Sequence, residues 1–177
     1  MTPEIALPLQ QHPHFAAALA HMGRSVCFVD VAGAAPVLAV RQFGQLLVSR
    51  GPIWHQAGHS APLRHAAFRL INADVHDDPL MRAAGLRCVM TPAHVAELDL
   101  QATPEARKHA MKPKWRRAWQ TAQSTQLKIS EHAYDAQTHG WILKADLVQQ
   151  RSKGFRGLPH SLIGAYAAMH PKSVRVV

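Results

Sequence analysis

Three consecutive β-type segments separated by turn residues place the strongest constraint on the fold of this chain. They lie within residues 25–33, 36–44 and 45–54, and Gly33–Pro36 and Phe43–Gln45 separate them. Each segment is rich in Val, Leu, Ile and Phe, as strands are. Connections this short join neighbouring strands that run in opposite directions. The sequence therefore predicts an antiparallel meander.

Helical patterns surround and follow this meander. Four predicted helices cover residues 15–22, 63–71, 141–151 and 161–169, and Ser60 lies near the start of the second. Two further helices are predicted to begin at Thr103 and at Pro113. Further short strands are predicted at residues 86–91, 127–130 and 174–177. Strands and helices do not alternate strictly in this order. We therefore expect an α/β (α+β) domain with a mixed, largely antiparallel sheet flanked by helices.

Composition and charge limit the location and the partners of the protein. Its 177 residues carry a formal charge of +9, which favours anionic ligands such as nucleic acid, nucleotides or acyl-CoA. Cys27 and Cys88 lie in apolar runs without a CxxC pair, which predicts buried free thiols in a reducing compartment. Neither a signal peptide nor an apolar run long enough to cross a bilayer is found. We expect a cytoplasmic protein without membrane insertion.

The first candidate binding segment is Lys112–Arg117, with four cations and a tryptophan in six residues. Cations interleaved with an aromatic suit phosphates and stacking, so Lys114, Trp115, Arg116 and Arg117 are predicted to bind a ligand. The helical spacing of Trp115, Ala118, Trp119 and Ala122 leaves a second interpretation open. In that interpretation the tryptophans anchor the helix in the core and the cations are merely solvated.

Two more segments supply candidate site residues. Residues 151–157 combine two glycines with Arg151, Lys153 and Arg156, which together suit an anion, although a plain basic loop is the alternative. Residues 50–54 end a strand and present Arg50 and Trp54, although a strand-end bulge would account for this segment as well.

Other reaction chemistries lack the residues that they need. No GxSxG, P-loop or dinucleotide-binding pattern occurs, which argues against hydrolase, kinase and dehydrogenase functions. Gly58 and Pro62 oppose a helix that would align His55 and His59, and no HExxH glutamate is present, so no metal is expected. The acidic cluster at residues 74–78 is typical of a polar turn. The sequence assigns no catalytic residue.

Four motifs together carry a family resemblance. They are Arg50–Trp54 after a strand, Lys114–Arg117 opening a helix, Gly154–Gly157, and Ala168–Pro171. In this order and spacing, over residues 25 to 177, the chain resembles FemABX-like proteins of the GNAT (N-acetyltransferase) superfamily. Residues 151–157 nearly match the GNAT pyrophosphate pattern R/Q-x-x-G-x-G/A, but Arg156 stands where a small residue is required.

The resemblance implies a fold and an activity. FemABX-like enzymes have two GNAT-like domains in tandem, so residues 1–157 would be the first, and 158–177 the helix and strand that start an incomplete second. The implied activity is transfer of an acyl or aminoacyl group from acyl-CoA or aminoacyl-tRNA to an amine. Lys114, Arg116 and Arg117 would hold the anionic part of a substrate, and Arg151, Lys153 and Arg156 would flank the cleft. A second copy or a partner chain would supply the missing half.

Two other functions stay open on the sequence alone. The net charge and the interleaved Trp and Arg residues also fit a nucleic-acid-binding module, with tRNA among its partners. A non-catalytic remnant that acts through a partner chain is the third hypothesis.

Overall fold

The computed structural model of the chain describes residues 6–55, 63, 68–73, 78–90, 100–125 and 128–177. Two units are distinguished by their internal contacts: Met1–Met90 with His132–Val176, and Thr91–Glu131 with Val177. The helices of the described residues are α1 (Pro13–His21), α2 (Asp78–Ala83), α3 (Pro104–Ala110), α4 (Pro113–Ser124), α5 (Ala136–Lys153) and α6 (His160–Met169), with a 3-10 turn at Leu9–Gln11. The strands are β1 (Ser25–Val29), β2 (Val37–Gln42), β3 (Gln45–Ser49), β4 (Phe68–Asn72), β5 (His132–Ala133) and β6 (Arg175–Val176).

The main sheet has the order β1-β2-β3-β4. β1 pairs antiparallel with β2 and β2 with β3, so the predicted meander is confirmed. β4 joins β3 in parallel, which makes the sheet mixed. The predicted α+β class is confirmed, as are the predicted helices that correspond to α1, α3, α4, α5 and α6.

The helix predicted over residues 63–71 is wrong for its described part, because Phe68–Asn72 forms β4. Phe68 pairs with Leu46, and Leu70 pairs with the next residue, Leu47, so the register shifts by one at this point. A bulge of this kind turns the strand and changes which side chains share a face. Phe68 and Ile71, three residues apart, therefore both pack on the same core cluster. Their helix-like spacing is the product of an irregular strand.

Two predicted short strands are also wrong in the described residues. Residues 86–90 follow α2 without strand pairing. Gly85 turns the chain, and the amide of Leu86 donates to the carbonyl of Met81 (2.9 Å) instead of to a strand partner. Residues 128–130 form no strand, and pairing begins instead at β5. Thr91 and Leu127 lie outside the described residues.

The core of the first unit lies on both faces of β2. Successive side chains of a strand point to opposite faces. Leu38 accordingly joins Phe15 of α1 and Leu162 of α6 in one cluster, whereas Val37 and Ala39 join a second cluster with β3. The sheet therefore packs against α1 and α6 on one side, and on its other side its own strands contribute the second apolar cluster.

The C-terminal elements belong to this same unit. α6 packs on α1 through the cluster just described, and β6 pairs antiparallel with β5. The assignment of residues 158–177 to the start of a second GNAT-like domain stays a prediction.

A buried glutamine fastens the N-terminal turn to the sheet. Gln11 is 1% exposed and lies where the ladder between β2 and β3 ends. Its Nε2 donates to the carbonyls of Leu38 (3.2 Å) and Ser49 (2.6 Å), and its Oε1 accepts from the amide of Leu38 (2.8 Å). The side-chain amide thus takes the place of a missing strand partner, which a buried backbone needs.

Gly51 is expected to resist replacement because of this glutamine. A Cβ at residue 51 would lie 2.9 Å from Cδ of Gln11 and 3.0 Å from its Nε2. Gln11 cannot move aside without breaking its hydrogen bonds, so Gly51→Ala should destabilise the protein by about 1–3 kcal/mol.

Gly140 provides the matched control, since it lies inside α5 with nothing within 4 Å of an added Cβ. Gly140→Ala should stabilise the protein by up to about 1 kcal/mol. Chemical denaturation of both variants measures the two changes in the free energy of unfolding. Changes of the same sign in both variants would contradict the packing described for Gly51.

The second unit contains α3 and α4. Thr103 caps α3, because its hydroxyl oxygen accepts from the amide of Ala106 at 3.2 Å. Arg116 of α4 donates to the carbonyls of Lys108 (3.2 Å), His109 (3.0 Å) and Met111 (3.1 Å). These carbonyls end α3, so one guanidinium fixes the turn between the two helices.

Candidate anion-binding site

The C-terminal end of α5 and the loop to α6 bring three predicted site cations close together in sequence and structure. Arg151 and Lys153 lie in the last turn of α5, and Arg156 follows in the loop. Gly154 ends the helix with φ 67°, a left-handed conformation that suits glycine. The amide of Phe155 then donates back to the carbonyl of Gln150 at 3.1 Å. The chain therefore reverses at a defined point.

A hydrogen-bond network built on Gln150 holds this loop. Its Oε1 accepts from the amide of Gly157 at 2.9 Å, and its Nε2 donates to Oδ2 of Asp146 at 2.6 Å. Nε2 of His160, the first residue of α6, lies 2.8 Å from the same Asp146 oxygen. The network thus connects α5, the loop and α6, and it fixes the loop before any ligand binds.

Gly157 allows the close approach on which this network depends. A Cβ at residue 157 would lie 2.9 Å from Nε2 of Gln150. The second glycine of the basic segment therefore serves the internal packing of the loop.

Around this loop lies a cavity of about 440 Å³. It is open to solvent, since all its lining residues except Gln150 are exposed. Its walls combine two guanidinium groups, an amide and two large apolar side chains, contributed by Leu147, Gln150, Arg151, Gly154, Phe155 and Arg156. Among the described residues, neither Arg151 nor Arg156 has an acidic partner. Two unneutralised guanidinium groups beside one cavity favour an anionic ligand.

The other predicted site cation of this segment, Lys153, is exposed but does not line the cavity. It adds positive charge near the site without facing it. The segment also lies between two helices, whereas the GNAT pyrophosphate pattern that it resembles should follow a strand.

The basic helix α4 lies in the second unit and presents a different surface. Trp115 is 66% exposed, and the described side chains of α4 include none that is buried. Trp115 therefore does not anchor a core, and Trp119 is half-buried, with Nζ of Lys108 5.0 Å from its ring centroid. Arg116 is occupied with the end of α3, which leaves Lys112, Lys114 and Arg117 as exposed cations of this helix. We call Lys112, Lys114, Trp115 and Arg117 the α4 surface.

Arg50 and Trp54 serve the architecture of the first unit. Arg50 adopts φ 55°, and its amide donates to the carbonyl of Asn72 at 2.7 Å. Trp54 forms an isolated antiparallel bridge with Ala34. Both residues thus tie the segment after β3 to its neighbours, and the cavity lining contains neither of them.

A second cavity, of about 740 Å³, was not indicated by the sequence. It is lined by Arg82, Gly85, Leu86, Arg87 and Cys88. Arg82 already takes part in an interaction within the protein, and Cys88 is exposed, contrary to the prediction of a buried thiol. Its lining residues Gly85, Leu86 and Cys88 make local hydrogen bonds to the carbonyls of Arg82, Met81 and Met90. It is the weaker candidate.

Sequence reasoning missed Asp146, Gln150 and His160. The spacing of Asp146 and Gln150, four residues apart on one helix, could have indicated their contact. The approach of His160 depends on the turn between α5 and α6, which the sequence does not specify.

The loop is expected to loosen in acid because of Asp146. Its hydrogen bond with His160, and then that with Gln150, hold the pKa of Asp146 below the usual value. A lowered pKa in the folded state means that the carboxylate stabilises the loop fully above the ordinary aspartate pKa. This contribution is lost as the pH falls through the lowered pKa.

The amide signal of Gly157 in nitrogen–proton NMR spectra, followed across the acid range, should report that loss. In Asp146→Asn this pH-dependent change of the Gly157 signal, the acid step, should disappear, since a side-chain amide does not titrate in the acid range. An identical step in Asp146→Asn would show that another group controls the loop.

Comparison with known proteins identifies no relative, since no protein-family model, no curated protein and no solved structure matches the chain. Within the described ranges, no group of three or more His, Cys, Asp or Glu side chains is placed to hold a metal ion. None of the helices described has the length and apolarity that crossing a bilayer would require.

Proposed function

We propose that this chain is an acyltransferase-type domain that binds an anionic acyl donor in the cavity at the C-terminal end of α5 and the loop that follows it. The observation that carries the proposal is the pairing of Arg151 and Arg156 at one cavity, without acidic partners among the described residues. A loop fixed in advance by Gln150 loses little conformational freedom when it binds a ligand, which favours a dedicated site. The family resemblance supplies the reaction class.

The proposed reaction is direct attack of an amine on the carbonyl carbon of a thioester or ester. A carbon–nitrogen bond forms, the carbon–sulfur or carbon–oxygen bond breaks, and the amine proton passes to solvent or to a base. The arginines would hold the phosphates or the carboxylate of the donor and keep its acyl group in place. Oxyanion stabilisation and the acceptor site would come in part from a second copy or a partner chain, as the resemblance implies.

A cytoplasmic location is part of the proposal. Cys27 and Cys88 are both free thiols, which agrees with a reducing compartment.

A thermal-shift screen tests the proposed function. Coenzyme A, acetyl-CoA, ADP and inorganic phosphate would each be added to the whole chain at millimolar concentration. A ligand that binds only the folded state raises its melting temperature, by about 5–10 °C at a concentration 100 times its Kd. We expect coenzyme A and acetyl-CoA to raise the melting temperature of the chain, and inorganic phosphate to raise it only slightly. The absence of a shift with every CoA species would contradict the proposal.

A second function, single-strand nucleic-acid binding, is favoured by the α4 surface. Trp115 offers an exposed aromatic face on a helix that also carries the exposed cations Lys114 and Arg117. Nucleobases stack on such faces while cations contact the phosphates. This arrangement fits an RNA strand, including the tRNA of an aminoacyl donor.

Trp115→Ala tests this second function against a matched control. It should weaken binding of a fluorescent oligoribonucleotide by roughly 5- to 150-fold, since a stacked base contributes about 1–3 kcal/mol. Trp141 of α5 is also 66% exposed, and Trp141→Ala should leave the affinity unchanged. Equal affinities of the two variants, or no binding at low salt, would end this hypothesis.

A further inference from the structure

The cavity at the C-terminal end of α5 has an apolar wall as well as its arginines. Leu147 and Phe155 line it, and they are 39% and 46% exposed. Apolar side chains combined with a few charged groups are the usual composition of a small-molecule site. This inference rests on the proposed function, because it concerns the donor that the same cavity would bind.

The order of the wall residues along α5 suggests how a donor would lie. Leu147 precedes Arg151 by four residues, so the two side chains occupy one face of the helix. Phe155 and Arg156 follow at the turn. A ligand with its anionic group at the arginines would thus place its apolar part against Leu147 and Phe155.

The charges of the cavity argue against an aminoacyl group. An aminoacyl ester carries a protonated amine, which Arg151 and Arg156 would repel. Asp146, the carboxylate connected to this cavity through Gln150, already accepts hydrogen bonds from Gln150 and His160. A hydrocarbon chain carries no charge for the arginines to repel and needs no carboxylate partner. Its binding is also favoured by the apolar surface that it covers on the wall.

We infer that the donor is a thioester with an extended apolar acyl chain, and that Leu147 and Phe155 select for chain length. Binding should therefore strengthen as the chain grows. Each methylene covered by the wall should increase affinity by up to about fourfold.

Calorimetric titration with coenzyme A, acetyl-CoA, hexanoyl-CoA and decanoyl-CoA, each below its micelle concentration, tests the inference. We expect decanoyl-CoA to bind at least about 30-fold more tightly than acetyl-CoA, since several methylenes contribute. The variant Leu147→Asn/Phe155→Ser should lose this chain-length dependence, so that it binds acetyl-CoA and decanoyl-CoA with equal affinity. Val148→Asn is the control, because Val148 neighbours Leu147 on α5, is exposed and does not line the cavity.

The outcomes separate this inference from the proposed function. Equal binding of acetyl-CoA and decanoyl-CoA would overturn the inference and leave the proposed function standing. Chain-length dependence that survives in Leu147→Asn/Phe155→Ser would also overturn it, since the chain would then bind elsewhere. No binding of any CoA species would overturn both.

Discussion

Replacement of Gln11 by alanine should lower the free energy of unfolding by about 3–5 kcal/mol. The substitution removes three hydrogen bonds at a fully buried position and leaves the amide of Leu38 without its partner. An unpaired buried donor alone is unfavourable by about 1–3 kcal/mol. Because domains are stable by only about 5–15 kcal/mol, this loss is large, and it should lower the melting temperature by roughly 10 °C.

Gln45→Ala is the control for this prediction. Gln45 is exposed at the start of β3, so its replacement should change stability by less than about 0.5 kcal/mol. Urea denaturation of both variants gives the comparison. A Gln11→Ala protein as stable as Gln45→Ala would show that the side chain does not fasten the N-terminal turn to the sheet.

The double replacement Arg151→Ala/Arg156→Ala should weaken binding of coenzyme A by roughly 100-fold. Hydrogen bonds to charged groups contribute about 1.5–3 kcal/mol each, and the lower value applies to these exposed side chains. Calorimetric titration measures the change. The salt dependence of the remaining affinity should also be shallower, because screening acts on the charges that were removed.

Arg24→Ala/Arg41→Ala is matched to this variant. It removes two exposed arginines of the same unit that do not line the cavity, so the net charge changes equally. Its affinity for coenzyme A should stay within about twofold of the wild type. If both double variants lost the same affinity, the effect would come from net charge and not from the cavity.

Local sequence patterns were sufficient for much of the fold. The β1-β2-β3 meander followed from short turns, and α4 followed from Pro113 and the spacing of its tryptophans. Both features depend on neighbouring residues only. The basic segment of the candidate site could likewise be located from Gly154, Arg151 and Arg156.

Features set by distant contacts could not be predicted. The bulge in β4 gives Phe68 and Ile71 the spacing of a helix, and only pairing with β3 shows that this segment is a strand. Arg116 was expected to meet a ligand, but it binds carbonyls of α3 because the turn after Met111 brings them within reach.

The candidate site depended on tertiary structure in the same way. The Gln150 network closes only when α6 returns His160 to Asp146. Buried Gln11 has no sequence signature, since its partners Leu38 and Ser49 lie far along the chain.

A titration of the isotope-labelled chain with coenzyme A, followed by nitrogen–proton NMR, tests the location of the donor site most directly. The proposed site predicts saturable shifts of the amide signals of Gly154, Phe155 and Gly157, absent from Arg151→Ala/Arg156→Ala. Shifts confined to α4 or to residues 82–88, or no shifts at all, would contradict it.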